Sequence, residues 1–480
     1  MREPARASIW LAAAGIAALA TWVCYDAAPG INWPLWTAAA AAGLVWFSHH
    51  RPDSLPLVGG IGAAAVVLAG GVAITTNPFS IFIIFLAVIL LLSVAMLLSA
   101  APIVSRITTW FTILAPLLAI TGIIVSAVAR AGEATRLVRS TRARAVLRGI
   151  AITLPVLVIF ALLLSSADPT FALWRNTIED ILTSWAFLPR TIFFVLFLIL
   201  ALGALSYAAL AVDSRAVTSS QPRQWLGSAE RLILISSVAA LLWLFLAIQL
   251  SYLFGNLPEV PGSGITFAEY ARRGFGELTI VALATALLIA LTERYVVVDQ
   301  RQRVTRIVTF VLIAAVLLLL GSAFNRVLLY EEAYGFTTAR LYAKAAMILI
   351  ATGLVAMSVE VAGEFDAGRL FRRVGAATLV VLTMIVYWNH EAWIARRNIE
   401  RFAATGKLDA GYLVRDLSPD AIPAIISLMP GLPDPARAEM RHLLERRYTA
   451  RHPLLADRRW FEANVRRSQA REALAALGRP

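Results

Sequence analysis

About a dozen apolar stretches of 17 to 24 residues, separated by short loops that carry arginine, run from Ser8 to Asn389. A hydrocarbon core of about 30 Å takes about 20 helical residues to cross. A helix satisfies its own backbone hydrogen bonds, which lipid cannot do for it. The run from Phe79 to Ala100 meets that length without one charge. At 59% hydrophobic residues and a mean hydropathy of +0.74, a soluble fold would have to hide more apolar surface than a globule of 480 residues can bury. The expected fold class is all-α: a polytopic transmembrane helical bundle of about 11–13 spans with a small helical C-terminal domain.

The formal charge of +13 comes almost wholly from arginine, since Lys344 and Lys407 are the only lysines. These arginines sit in the loops between spans and in one tail, so they report topology rather than nucleic-acid binding. Cys24 is alone, which excludes an intrachain disulfide and a cysteine metal site. His390-Glu391 is followed four residues on by Ile394, so the zinc-protease pattern is absent. No serine stands in a nucleophile elbow, and neither lysine completes a Ser-x-x-Lys pair. No catalytic residue, metal or cofactor is therefore assigned, and an enzymatic role is left open but not favoured. The start MREPAR followed by an apolar run resembles a signal peptide but lacks a small-x-small cleavage site, so an uncleaved first span is expected.

The apolar runs predict spans at 8–27, 31–48, 55–75, 79–100, 107–129, 148–166, 190–212, 232–254, 274–292, 307–324, 341–362 and 374–389. Beyond the fifth span, sixteen basic residues lie in one set of alternate loops: Arg130 to Arg148, Arg215 to Arg231, Arg294 to Arg306 and Arg369 to Arg373. The other set, which includes Arg51 and Arg106, holds nine. The positive-inside rule makes the first set cytoplasmic. The loops after the sixth, eighth and tenth spans and the tail are then extracytoplasmic. One conflict follows: twelve spans put the N-terminus outside despite Arg2 and Arg6, whereas eleven or thirteen put it inside. The short span with Trp33 and Pro34, or the stretch with Pro102 and Pro116, is where a crossing would fail.

Composition divides the chain into charge-poor transmembrane helices (1–129), transmembrane helices with charged outer loops (130–389) and a polar, amphipathic helical domain (390–480). Glycine clusters at Gly59, Gly60 and Gly62 and at Gly70 and Gly71 predict close helix packing rather than a phosphate loop. In the tail, Ser418-Pro419 and Asp434-Pro435 each read as an N-cap followed by proline, and Gly406 as the end of a helix begun near Glu391. Thr337 and Thr338 are available to cap the eleventh span.

Functional candidates are the polar residues of the outer loops. Asp168 precedes Pro169 as an N-cap of an interfacial helix. Glu269, Arg273 and Glu277 are spaced by fours, forming one charged stripe whose last carboxylate enters the apolar run. Glu331 and Glu332, with Tyr334, Arg340 and Lys344, crowd the next loop, where adjacent glutamates read first as a solvated surface. Gln249 and Tyr252 form a polar patch suited to interhelical hydrogen bonds.

Over about 147–430 the chain resembles a bacterial family of multipass membrane proteins catalogued as a domain of unknown function (DUF4153/DUF4173-like). The resemblance rests on Ala167-Asp168-Pro169-x-Phe171, Tyr270 to Phe275, Tyr334-Gly335-Phe336-Thr337, Arg340-Leu341-Tyr342, Ile394 to Arg401, Asp409, Tyr412-Leu413 and Asp420 to Pro423. It implies membrane location and bacterial origin, and no activity. Three functions stay open. One is a transporter-like or ligand-binding protein whose outer vestibule is lined by Asp168, Glu269, Arg273, Glu277, Glu331, Glu332 and Arg340. The others are a membrane-embedded transferase acting on a lipid-linked substrate, and a non-catalytic component of an envelope signalling or assembly complex with 390–480 as the partner surface. The expected setting is the bacterial cytoplasmic membrane, with lipid as the sure partner and no nucleic acid.

Overall fold

A computed structural model describes residues 3–48, 55–100, 109–138, 187–209, 227–254, 275–295, 302–448 and 459–477. The helices are α1 (Glu3–Cys24), α2 (Asn32–Ser48), α3 (Leu55–Gly70), α4 (Pro78–Ala100), α5 (Thr109–Val138), α6 (Phe187–Ala208), α7 (Ser228–Phe254), α8 (Phe275–Tyr295), α9 (Gln302–Tyr334), α10 (Thr338–Ala362) and α11 (Ala367–Tyr387). The smaller helices that follow are α12 (His390–Thr405), α13 (Ala410–Arg415), α14 (Ile422–Leu428), α15 (Asp434–Arg447) and α16 (Val465–Leu477). Among the described residues, nine helices are long and apolar enough to cross a membrane. Large apolar side chains such as Leu11, Leu196, Ile233, Ile280 and Met384 stay exposed on them, as lipid-facing positions do. The chain is a multipass, all-α membrane protein.

The spans pack as two bundles. In α1–α6 the core holds Ile9, Leu44, Val58, Leu98, Ala115 and Leu205; in α7–α11 it holds Ile235, Ile289, Leu312, Leu319, Met347 and Leu354. A third cluster sews the bundles together, with Val386 of α11 set among Ala65, Leu68, Val72, Ile84 and Val88. The glycine pair predicted to permit close packing does so here. A Cβ on Gly70 would stand 2.7 Å from the Tyr387 hydroxyl, and one on Gly71 would collide with Val386. That hydroxyl donates at 2.7 Å to the carbonyl of Val67, inside the last turn of α3.

The C-terminal domain has an apolar core of its own, with Ile394, Leu413, Val414, Ile422, Ile425, Met440 and Leu444, which also takes in Leu341 of α10. Gly406, at φ 66°, ends α12 as expected. Thr337 caps α10, and Ser418 caps the 3-10 turn Pro419–Ala421. Asp434 does not act as expected: it is the first residue of α15, the cap position belongs to Pro433, and no side chain caps that end.

This domain defines one face of the membrane part. Arg459 donates to the carbonyls of Tyr25 and Asp26, Arg467 to that of Pro29, and Ile31 to that of Ala463. Asn464 donates to the carbonyls of Val72 and Thr75. The ends of α1 and α3 and the starts of α2 and α4 therefore lie at the domain face. Arg190 lies 5.2 Å over the Tyr25 ring, which starts α6 there too. At the other face, Arg231 pairs with Glu293, Arg306 donates to the carbonyl of Gly363, and Glu360 binds Arg369 and Arg373.

These positions settle the orientation conflict. The N-terminus lies on the face opposite the domain, because α1 ends under the domain; the twelve-span scheme that put both on one side is corrected. The run with Trp33 and Pro34 must cross, since α1 and α3 both end at the domain face. Its 17 residues reach about 25 Å, just short of an average hydrocarbon core. Within the described residues, α4 starts and α6 starts at the domain face. The run predicted at 148–166 lies outside the described residues.

In a Cys24→Ala background, Glu332→Cys and Lys407→Cys should react with an impermeant maleimide from one side of sealed vesicles, and Arg303→Cys only from the other. Labelling of all three from one side would undo the assignment of faces. Gly71→Val should lower the unfolding temperature of the purified protein, by an overpacking cost of about 1–3 kcal/mol, while Gly59→Ala, where a Cβ meets nothing within 4 Å, should not.

Candidate functional site

Five stretches remote in sequence meet where the two bundles and the domain join: the α3–α4 connection, the start of α10, the α11–α12 junction, the Ser418–Asp420 turn and the start of α16. Asp420, 1% exposed, is the centre. One of its oxygens accepts from Thr75 Oγ1 at 2.7 Å and Arg466 Nη1 at 2.9 Å; the other accepts from Thr76 N at 2.8 Å and Thr76 Oγ1 at 2.5 Å. The Asp420 carbonyl accepts from Asn389 Nδ2, whose own Oδ1 caps α12. Arg466 continues to the carbonyl of Tyr387, the last residue of α11.

Glu391, also 1% exposed, lies alongside. It accepts from Asn77 Nδ2 at 2.6 Å on one oxygen and from the Ser418 amide at 3.1 Å and the Ser418 hydroxyl on the other. Asn77 uses its Oδ1 to take the Ser80 amide in the first turn of α4, so one side chain joins that helix to α12. Beside it, His390 Nε2 lies 2.9 Å from the Tyr342 hydroxyl, which in turn lies 3.4 Å from Ser80 Oγ.

Burial pushes the Glu391 carboxyl up to about 7, helped by the charge of Asp420 and opposed by the Ser418 and Asn77 hydrogen bonds. Burial also lowers His390 below its ordinary value. The charges balance when Glu391 is protonated and His390 neutral, for Asp420 and Arg466 then form one closed pair. Ionised Glu391 would add a second buried anion beside Asp420. Among the described residues no group of three His, Cys, Asp or Glu is placed to hold a metal.

Next to this seam the α9–α10 turn carries the described part of the expected vestibule. Glu331 is not a solvated loop residue. Because α9 continues to Tyr334, it lies in the last helical turn, 1% exposed, and pairs with Lys344 at 2.6 Å. Its other oxygen, Oε1, has no hydrogen-bond partner. Lys344 Nζ stands 6.0 Å from the Phe336 ring and 5.8 Å from that of Trp393, two residues after Glu391. Glu332 is exposed, and its carbonyl accepts from Arg401. Arg340 donates to the Gly335 carbonyl and lies 4.3 Å over the Tyr330 ring. Gly335 sits at φ 86° against Asn398, which closes the turn through the Phe336 amide and carbonyl.

Glu277 is exposed in the first turn of α8. Asp168, Glu269 and Arg273 lie outside the described residues, as does the helix predicted after Asp168. Sequence reasoning missed Thr75, Asn77, His390, Glu391, Ser418 and Asp420 as a group. The one available signal was polar residues just past spans, at Thr75 to Asn77 and Asn389 to Glu391.

Glu391 gives the seam a pH dependence of definite sign. Between pH 4.5 and about 7 the native carboxyl keeps a proton that the unfolded one has lost, so its stabilising contribution is complete below 4.5 and gone above about 7. His390 works the other way, but only below its ordinary value of 6.5. The unfolding temperature should therefore fall as pH rises from 6.5 to 8, and Glu391→Gln should flatten that fall. Equal slopes in both proteins would count against a protonated Glu391.

No curated protein and no solved structure matches the chain. The matching family model, described as "Domain of unknown function (DUF4153)", spans residues 62–428 and takes in every residue of the seam named above except Arg466. With most of its length inside that match, this chain belongs to the DUF4153 family.

Proposed function

We propose that the protein is a transporter-like, ligand-binding membrane protein, non-enzymatic, whose ligand enters from the domain face at the α9–α10 turn. The observation that carries this reading is Glu331. A buried carboxylate oxygen left without a donor costs about 1–3 kcal/mol, and such groups are rare in native proteins unless something else supplies the hydrogen bond. Glu331 Oε1 is such a group, beside an ammonium and two aromatic rings, at the edge of a seam that already joins both bundles. A small ligand with an N–H or O–H donor would complete it. Glu277, Glu332 and Arg340, with Asp168, Glu269 and Arg273, would shape its approach.

Arginine placement supports an extracytoplasmic domain face in a bacterial cytoplasmic membrane. Arg231, Arg303, Arg306, Arg369, Arg372 and Arg373 all belong to the opposite face, where the positive-inside rule wants the cytoplasm.

Thermal-shift measurements on the purified full chain with a panel of small amines, polyols and amino acids test the reading. At least one compound should stabilise the wild type and lose about tenfold or more in affinity against Glu331→Gln, the weight of a hydrogen bond to a charged group. No stabilising compound, or one equally effective on the variant, would refute it.

A further inference from the structure

At the domain face the end of α1, the start of α6 and the turn Trp460–Glu462 enclose a cleft of about 610 Å³, separate from the seam and the Glu331 turn. Two guanidinium groups line it, Arg190 and Arg459. Arg459 is held by the carbonyls of Tyr25 at 3.2 Å and Asp26 at 3.4 Å, and it pairs with the Asp26 and Glu462 carboxylates at 4.0 and 3.9 Å. Arg190 rests over the Tyr25 ring and is exposed. The cleft thus presents two guanidinium groups, one held by backbone carbonyls and two long ion pairs, the other by an aromatic face.

Its depth and its walls say what fits. The candidate spans Ala7–Cys24 and Phe187–Ala208 end and begin here, which sets Trp22, Arg190 and Phe187 at the level of the lipid headgroups. Trp22 is 59% and Trp460 62% exposed, with ring centroids 6.2 Å apart, an aromatic pair facing the interface rather than a core. One helical turn deeper, the lining becomes Ala18 and Phe194. A lining that is cationic and aromatic at the rim and apolar below has the polarity profile of an amphiphile with an anionic head.

We propose that this cleft binds an anionic membrane phospholipid, its phosphate between Arg190 and Arg459 and an acyl chain along the groove between α1 and α6. Guanidinium groups match phosphate oxygens with paired donors, and the flanking rings favour the interfacial depth. Because Arg459 and Phe461 belong to the C-terminal segment, the bound lipid bridges that segment to the first bundle.

The full chain, reconstituted in phosphatidylcholine nanodiscs, is titrated with acyl-brominated phosphatidylglycerol or phosphatidylcholine while tryptophan emission is read. Brominated phosphatidylglycerol should quench at lower mole fraction, and Trp22→Phe should remove part of the quenched emission. Arg190→Gln, which touches no backbone carbonyl of the docked segment, should cut the preference for phosphatidylglycerol about fivefold, the weight of one basic residue at an anionic surface. Adding Arg459→Gln should abolish it. Equal quenching by the two lipids, or a preference untouched by Arg190→Gln, would overturn the proposal. So would relief of quenching by millimolar inorganic phosphate, which would make the site one for a soluble anion.

Discussion

Asp420 is the residue on which the arrangement of the other parts turns. A buried carboxylate is costly to desolvate, and it is tolerated only where donors saturate it. Here the donors come from both ends of the chain: Thr75 and Thr76 from the first bundle and Arg466 from α16. Its backbone carbonyl holds Asn389, just past α11. Remove the carboxylate and the Thr75–Thr76 stretch and α16 lose their common acceptor, while Arg466, 5% exposed, keeps a charge with one fewer partner. The loss falls on the join between parts, because most of the apolar core of each bundle and of the domain lies within that part.

That division explains what could be read from the sequence. Span positions follow from length and hydropathy, which are local, and so α4, α6, α7 and α10 fall within a few residues of the expected runs. Caps are local as well, and Thr337, Ser418 and Gly406 act as their residue types suggest. Asp434 misled because an Asp-Pro pair fits either the cap or the first turn, and the choice depends on the preceding Leu432-Pro433. The seam lay beyond reach for another reason. Thr75 and Asp420 are 345 residues apart, Asn77 and Glu391 314, and no period or motif links such positions. Glu331 was misjudged because a solvated loop and a last helical turn have the same composition; only the packing of Lys344 beneath Trp393 tells them apart.

Topology shows the same interplay of local and distant information. Arginine counts suffice for the second bundle, where Arg231, Arg306, Arg369 and Arg373 meet carboxylates or carbonyls at one face. They fail for the first bundle, which has few charges to count. There the domain decides, since its contacts with Tyr25, Pro29, Val72 and Thr75 place both hairpins against one surface.

The join is polar for a reason that lies in the solvent. Apolar surfaces of two membrane helices gain little by leaving lipid, which is as apolar as they are. A domain docked at the headgroup level by apolar contacts would compete with lipid tails on one side and water on the other, with little to fix its position. Hydrogen bonds to turn carbonyls and a carboxylate shared among segments have no equivalent in lipid, so they specify one arrangement. They also leave the arrangement open to titration. Protonated, Glu391 completes a neutral seam; ionised, it sets a second anion against Asp420 and works against the join that its own hydrogen bonds help to make.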